Sequence, residues 1–179
     1  MQKNMQKASK ILKKGGIIVY PTDTAYAIGC KFRNKKGINK ILKLKKRKDT
    51  KFTLIASSLA QVQKYFKLNA CQLKIAKKYW PGPVSIVVSP KYSVRVPKCE
   101  IARKLARNAG MPIIATSLNV SGEPTIYDLR RERACAFRTY VDAIIDIGPL
   151  TKRKTSTIIK CLSNKKIKIL RQGEISPPA

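Results

Sequence analysis

Histidine is absent from this chain of 179 residues, and carboxylates are scarce: 9 Asp and Glu stand against 39 Lys and Arg. Without histidine there is no Ser-His or Cys-His nucleophile–base pair, and the commonest nitrogen ligand of structural zinc is missing. Cysteines 30, 71, 99, 135 and 161 form no CxxC pair. An odd, scattered set is neither a zinc cluster nor a disulfide framework; it suits a reducing cytoplasm. Cys30 and Cys71 read as buried thiols. Long apolar runs are also missing: the longest, such as residues 16–20 and 84–88, fall far short of a bilayer span. The basic N-terminus leads into a strand-length apolar stretch interrupted by Pro21 and Asp23, which reads as neither signal peptide nor anchor. A cytoplasmic protein with no membrane contact is expected. No GxxxxGK[ST] loop, GxGxxG turn or paired-carboxylate site occurs, so neither a P-loop nor a dinucleotide-binding fingerprint is indicated. Any phosphate chemistry must rest on positioning and cation clamps, with Mg²⁺ carried by the nucleotide and no bound prosthetic group.

What is present is a core and a charge. Apolar residues make up 44% of the chain, enough for one domain over residues 1–179. The net charge of +30 attracts polyanions, which suggests an RNA partner or a phosphorylated substrate. A lysine-coated, solvated surface of the kind an AT-rich genome encodes explains it equally well.

The pattern predicts one α/β domain built on a twisted mixed sheet flanked by helices. Met5, Ala8, Ile11 and Leu12 share a helix face that Gly15 can end. Further helices are expected around Ile38, Ile41 and Leu42, around Val62, Tyr65 and Phe66, around Leu73 to Tyr79, around Ile101, Leu105 and Ala109, and over residues 128–137. Strands are expected at residues 17–20, 53–56, 84–88, 94–96, 112–116, 143–147, 156–159 and 168–170. Trp80-Pro-Gly-Pro breaks a helix, and residues 149–155 read as a basic surface loop.

Four polar segments lie beside predicted strands, where binding residues usually sit. Pro21-Thr-Asp-Thr24 can hold a zwitterion or a phosphate, or be a self-satisfied turn. Lys45-Lys46-Arg47, with Lys51 beyond it, can clamp a triphosphate, or be more lysine surface. Ser117 and Asn119 stand two apart at a strand end and can face one side toward a phosphate or ribose, or simply bond a loop. Ser156-Thr157 and Arg171-Gln-Gly173 can reach a ligand or tie down a terminus.

Taken in order, these segments carry a resemblance. Gly15-Gly-Ile-Ile-Val-Tyr-Pro-Thr-Asp-Thr-Ala-Tyr-Ala-Ile-Gly29 resembles the opening of the threonylcarbamoyl-AMP synthase family with its YrdC-like domain. Lys45-x-Arg47 and Ser117-x-Asn119 look like that family's KxR and SxN signature. Trp80-Pro-Gly-Pro, Arg95-Val-Pro97, Thr116-Ser-Leu-Asn-Val-Ser-Gly122, Ser156-Thr-Ile and Leu170-Arg-Gln-Gly173 follow in the family's order. The likeness runs from about Lys7 to Gly173 and corresponds to the short, single-domain form.

The resemblance implies a nucleotidyl transfer. L-threonine takes up bicarbonate to form a carbamate, which attacks the α-phosphate of ATP. The products are L-threonylcarbamoyladenylate and pyrophosphate, and a separate transferase complex then modifies adenosine 37 of tRNA. By the same resemblance, Thr24, Arg95 and Ser156 hold threonine, while Arg47, Lys51, Ser117, Asn119 and Arg171 hold ATP. Lys45 and Arg47 are the expected catalytic pair, and Thr22 and Tyr26 shape the pocket. The basic surface would meet tRNA. The chain departs from the family at Ala27, where glycine is usual, at Lys48, where proline is usual, and at Phe52-Thr53, Ser85, Ala56 and Leu118. If the usual glycine serves a special backbone, Ala27 would be strained. The main alternative is a non-catalytic RNA-binding or ribosome-associated module of the same fold.

Overall fold

The computed structural model describes residues 2–130, 132–162 and 166–175. Its elements run in the order α1 (Gln2–Lys13), β1 (Ile18–Pro21), β2 (Tyr26–Gly29), α2 (Lys35–Leu44), β3 (Phe52–Ile55), α3 (Leu59–Tyr65), α4 (Ala70–Tyr79), β4 (Val84–Val87), β5 (Tyr92–Arg95), α5 (Glu100–Asn108), β6 (Ile113–Ser117), α6 (Glu132–Arg138), β7 (Ala143–Ile144), β8 (Thr157–Cys161) and β9 (Ile167–Arg171). The strands form one nine-stranded mixed sheet in the order β7-β1-β2-β6-β3-β5-β4-β8-β9. Three pairings are parallel, namely β1 with β7, β3 with β5 and β4 with β8. The expected mixed α/β sheet is therefore present.

Local chemistry sets the helix starts. The Asn34 side chain accepts from Gly37 N and donates to Gly15 O, capping α2 and holding the turn after α1. Ser58 caps α3 through Gln61 N at 3.1 Å. Asn69 and Gln72 form a reciprocal capping box on α4. The positive φ of +89° at Gly15 ends α1 as the sequence suggests.

Strand alternation divides the sheet's two faces. Val19, Ile28, Leu54, Val94 and Ile114 point to one face, where they pack with Ile41 of α2 and Val62 of α3. Ile18, Tyr20, Ile55 and Ile113 point to the other, under Ala8 and Leu12 of α1 and Ala102, Leu105 and Ala106 of α5. Val84, Ile86 and Ile159 pack separately against Ile75 and Ala76 of α4. Burying each such aliphatic side chain contributes about 2 kcal/mol. The second face is only partly covered. Beyond α1 and α5 its strands carry small or polar residues, Ala27, Thr53, Ser93, Ala115 and Ser117, and these line a cavity.

Several sequence expectations shift. Strand β2 was not foreseen. It pairs with β1 and β6 and carries Ala27 opposite Ser117. Among the described residues the only non-glycine with positive φ is Lys46, so Ala27 is an ordinary strand residue without backbone strain. Strand β7 is shorter than expected, and α6 starts later because Asp128 turns back onto Arg130 N at 3.0 Å. Cys30 is fully buried, whereas Cys71 is half-buried, with its sulfur 2.6 Å from that of Cys161. No helix among the described residues is long and apolar enough to cross a membrane.

Candidate active site

The open part of the sheet floors a cavity of about 660 Å³. Its lining includes Thr22, Thr24, Tyr26, Arg47, Lys51, Arg95, Ser117, Ser156 and Arg171, residues drawn from segments as distant as the first strand and the last. Most of the side chains singled out in the sequence therefore converge on one concave surface.

One end is built from the loop between β1 and β2. Thr22 organises it: its hydroxyl accepts from Thr24 N and Ala25 N, both at 3.2 Å, and donates to Ala25 O at 2.7 Å. Arg95, at the end of β5, is buried with 3% exposure and donates through Nη1 to Asp23 Oδ1 at 2.5 Å and through Nη2 to Thr24 Oγ1 at 3.2 Å. Asp23, read in the sequence as a turn residue, is thus the partner that fixes this guanidinium; its other oxygen accepts from Lys98 N at 2.9 Å. On the facing strands, Arg171 donates from Nε and Nη2 to Ser156 O at 3.1 and 2.9 Å and from Nη2 to Ser156 Oγ at 3.1 Å. The Ser156 hydroxyl also meets Ser85 Oγ at 3.0 Å. Burial lowers the Arg171 pKa from its ordinary value, and the positive charge of Arg95 lowers it further. Two guanidiniums that feel one another, only one of them with a carboxylate partner among the described residues, make a place for an anionic group.

The other end is built from the close of α2. Helix α2 finishes with Lys46 N donating to Lys43 O at 3.0 Å and Arg47 N to Leu42 O at 2.9 Å, the paired bonds of a Schellman cap. The left-handed residue such a cap requires is here Lys46, with φ +50°. That turn sends Lys45 and Arg47 in different directions. Arg47 lies over the Phe52 ring at 5.1 Å and donates to Lys51 O at 2.6 Å and Asp49 Oδ2 at 3.1 Å, on the cavity wall. The hydrogen bond from Lys51 N, and then Arg47 and Lys51 themselves, hold the Asp49 pKa below its ordinary value.

Lys45 goes inward and does not line the cavity. It is 2% exposed, and its ammonium donates to Ser117 O at 2.5 Å, Asn119 O at 2.6 Å and Asn119 Oδ1 at 3.0 Å. Those three acceptors use all its protons. The expectation that Lys45 would face a leaving phosphate does not match this geometry; it ties the Ser117–Asn119 loop to the end of α2. Burial, and secondarily Arg47, lower its pKa to about 8. Asn119 is likewise turned away from the lining: it accepts from Lys45 and from Ser117 Oγ at 2.6 Å and donates to Glu123 O at 2.6 Å. Ser117 alone of that pair reaches the cavity. Tyr26 closes the side, donating to Gly148 O at 2.7 Å and accepting from Ile147 N at 3.0 Å; burial pushes its phenol up to about 12.

Sequence reasoning missed Asp23 as an anchor, Asp49 as the partner of Arg47, and Lys91 and Lys160 in the lining. Only Asp23 carried a signal, its place inside the Pro-Thr-Asp-Thr segment. Among the described residues no group of three or more Cys, Asp or Glu could hold a metal.

Fold and cavity together define an α/β domain with an open-faced, cation-lined site that offers an anion-binding corner at each end. The Sua5, YciO and YrdC family model, described as telomere recombination, matches residues 10–173, and the chain belongs to that family. It is 35% identical to the threonylcarbamoyl-AMP synthase of Psychromonas ingrahamii, over 88% of this chain and 92% of that one. It resembles the crystal structure of Escherichia coli YciO, with 29% identity, a TM-score of 0.84, and coverage of 97% of this chain and 90% of that one. It also resembles P. abyssi Sua5 complexed with L-threonine, with 27% identity, a TM-score of 0.84 and coverage of 97% of this chain. The chain spans about half of that longer protein, 55% of its length.

Proposed function

We propose that this protein is an L-threonylcarbamoyladenylate synthase, a nucleotidyltransferase that uses L-threonine, bicarbonate and Mg²⁺-ATP to supply the t6A modification of tRNA at adenosine 37. The observation that carries the reading is the convergence of Thr24, Arg95, Ser156, Arg171, Arg47, Lys51 and Ser117 on a single cavity, with Arg95 bonded to Thr24 and Arg171 to Ser156. The similarity to a threonylcarbamoyl-AMP synthase, and to a Sua5 complexed with L-threonine, supports the choice of substrates.

In this reading the first end takes threonine. Arg95, already aimed by Asp23, faces the carboxylate, and Thr24 and Ser156 supply hydroxyls to the amino acid. The amine attacks bicarbonate carbon, water leaves, and a carbamate results. Its oxygen then attacks the α-phosphorus of ATP, and the bond to the β-phosphate breaks with its electron pair leaving on pyrophosphate. Arg171, fixed on Ser156, belongs at the junction where carbamate and α-phosphate meet. Arg47, Lys51 and Ser117 hold the phosphates, and Lys45 and Asn119 position Ser117. None of these groups is a covalent nucleophile, so rate comes from alignment and charge neutralisation. The adenylate passes to a transferase complex. The exposed lysines of α1 and the exposed Lys104 and Arg107 of α5, on helices joined by Asn108 Nδ2 to Ser9 Oγ at 3.0 Å, form a basic face suited to tRNA. A cytoplasmic site of action fits an ATP supply.

The test is pyrophosphate release by the purified protein with ATP, Mg²⁺ and bicarbonate, with and without L-threonine, using serine and alanine as controls. Release that requires both threonine and bicarbonate is expected. A folded protein that binds tRNA but releases no pyrophosphate would instead support the RNA-binding module.

A further inference from the structure

The strand registers give the cavity a direction. Phe52 of β3 pairs with Tyr92 of β5, so Lys51 and Lys91 stand side by side one step before that rung, and Phe52 N donates to Lys91 O at 2.9 Å. Ile86 of β4 pairs with Ile159 of β8, which sets Val87 beside Lys160 on the next rung, while Val87 itself pairs with Ser93. Ala115 pairs with Thr53, so Ser117 too falls toward the Lys51 end. At the opposite end of the same strands lie Arg95, paired with Ile55, and Ser156, one step before the Val84–Thr157 rung.

Lys51, Lys91 and Lys160 are exposed and all three line the cavity. Among the described residues none of them is in a salt bridge. Among the described residues the only carboxylate in the lining is Asp49, and it is already bonded by Arg47 and by Lys51 N. Arg95, by contrast, is paired with Asp23 and Arg171 is fixed on Ser156, so the exposed lysines of the lining that make no salt bridge among the described residues stand toward the end away from Arg95. The strands that carry Lys51 and Lys160 are three apart in the sheet, roughly 14 Å. Flexible stems can close that gap onto a group held between them, and a concave wall of one sign concentrates its field there.

We propose that Lys91 and Lys160 complete, with Lys51, a subsite for the β- and γ-phosphates of Mg²⁺-ATP, and that they hold the pyrophosphate as it leaves. This deepens the synthase reading and rests on it. When the bond between α-phosphorus and the bridging oxygen breaks, the electron pair stays on that oxygen, so negative charge grows on the leaving pyrophosphate. Ammonium groups at this end meet that growing charge, and they make the enzyme distinguish nucleotides by the length of the phosphate chain.

The experiment compares the double variant Lys91→Ala/Lys160→Ala with Lys36→Ala/Lys40→Ala, two exposed lysines of α2 outside the cavity lining. Dissociation constants for Mg²⁺-ATP, inorganic pyrophosphate and AMP are measured by calorimetry on each intact protein, with circular dichroism to verify folding. The cavity variant should lose roughly tenfold in affinity for ATP and pyrophosphate and stay within about twofold for AMP, while the α2 variant stays within about twofold for all three. Equal losses for ATP and AMP, no loss, or an equal loss in the α2 variant would overturn the proposal, as would a wild-type protein that binds neither ATP nor pyrophosphate. A wild-type protein that shows the expected pattern yet releases no pyrophosphate in response to threonine would sink the synthase reading and leave the phosphate subsite standing.

Discussion

Lys45 and Arg95 are both buried cations near the same cavity, and their partners make them act differently. Lys45 faces only neutral oxygens, three of them, and its pKa is lowered to about 8. Between that value and the ordinary 10.5 the folded protein binds fewer protons than the unfolded chain, so this group's contribution to stability rises with pH across the window. Function should move the other way. A neutral amine has two protons for three acceptors, so the Ser117–Asn119 loop loosens as pH passes about 8. Pyrophosphate release should therefore fall from pH 7 to 9 while the melting temperature does not. In Lys45→Met the fall near pH 8 should vanish and overall rate should drop roughly tenfold to a hundredfold. A pH profile unchanged by that substitution would remove Lys45 from the positioning role. Arg95 instead has a carboxylate partner with 12% side-chain exposure. Arg95→Ala leaves the half-buried Asp23 with only its bond from Lys98 N and should cost about 3 kcal/mol in urea unfolding. Adding Asp23→Ala should restore most of that stability but not threonine use, because in the proposed site the lost guanidinium is the group that meets the substrate. Recovery of threonine use in the double variant would mean that Arg95 serves structure alone.

At the scale of elements, most strands and helices were legible because their apolar spacing is regular: Met5, Ala8 and Leu12 for α1, Leu54 and Ile55 for β3, Ile113 and Ile114 for β6. Strand β2 was not, because Tyr26-Ala-Ile-Gly29 is short, is buried on both faces, and follows a polar turn that ends the visible pattern. The site was legible as a set of polar strand-end residues, and the family resemblance grouped them. Their mutual contacts were not legible, since Asp23 meets Arg95 across 72 positions and Lys45 meets Ser117 across the same separation. Two element-level predictions follow from backbone geometry. Lys46 holds a left-handed cap at φ +50°, so Lys46→Gly should stabilise the protein by about 1 kcal/mol, read as a higher urea midpoint. Lower stability would mean that the lysine stem packs there. A methyl group at Gly173 would fall 2.6 Å from the Ser156 carbonyl carbon and 2.5 Å from Thr157 N. Gly173→Ala must therefore push the strand that presents Ser156, and its main effect should be a severalfold higher KM for threonine with a smaller change for ATP.

For the whole molecule the balance of 39 cations against 9 carboxylates acts on stability as well as on partners. Salt bridges offset little of it, because Lys104–Glu100 and Arg153–Glu174 join exposed groups and Arg130–Asp128 has an exposed cation, so each pairing contributes at most about 1 kcal/mol. Like charges on one small surface repel, and that repulsion is relieved when the chain expands. Screening shortens its range to about 10 Å at 0.1 M salt and about 3 Å at 1 M. Raising sodium chloride from low to moderate concentration should therefore raise the melting temperature by a few degrees, while weakening any tRNA complex over the same range. The pairing of these two trends separates the meanings of the charge. If the lysines were only solvated surface, salt would stabilise the fold and no tRNA affinity would be present to lose. If the charge were satisfied by internal pairing, salt would lower the melting temperature instead. A rise in melting temperature together with a steep loss of tRNA binding is the outcome expected of a protein whose basic face, with only Lys104 paired to a carboxylate among the described residues, takes its remaining counter-charge from a polyanion.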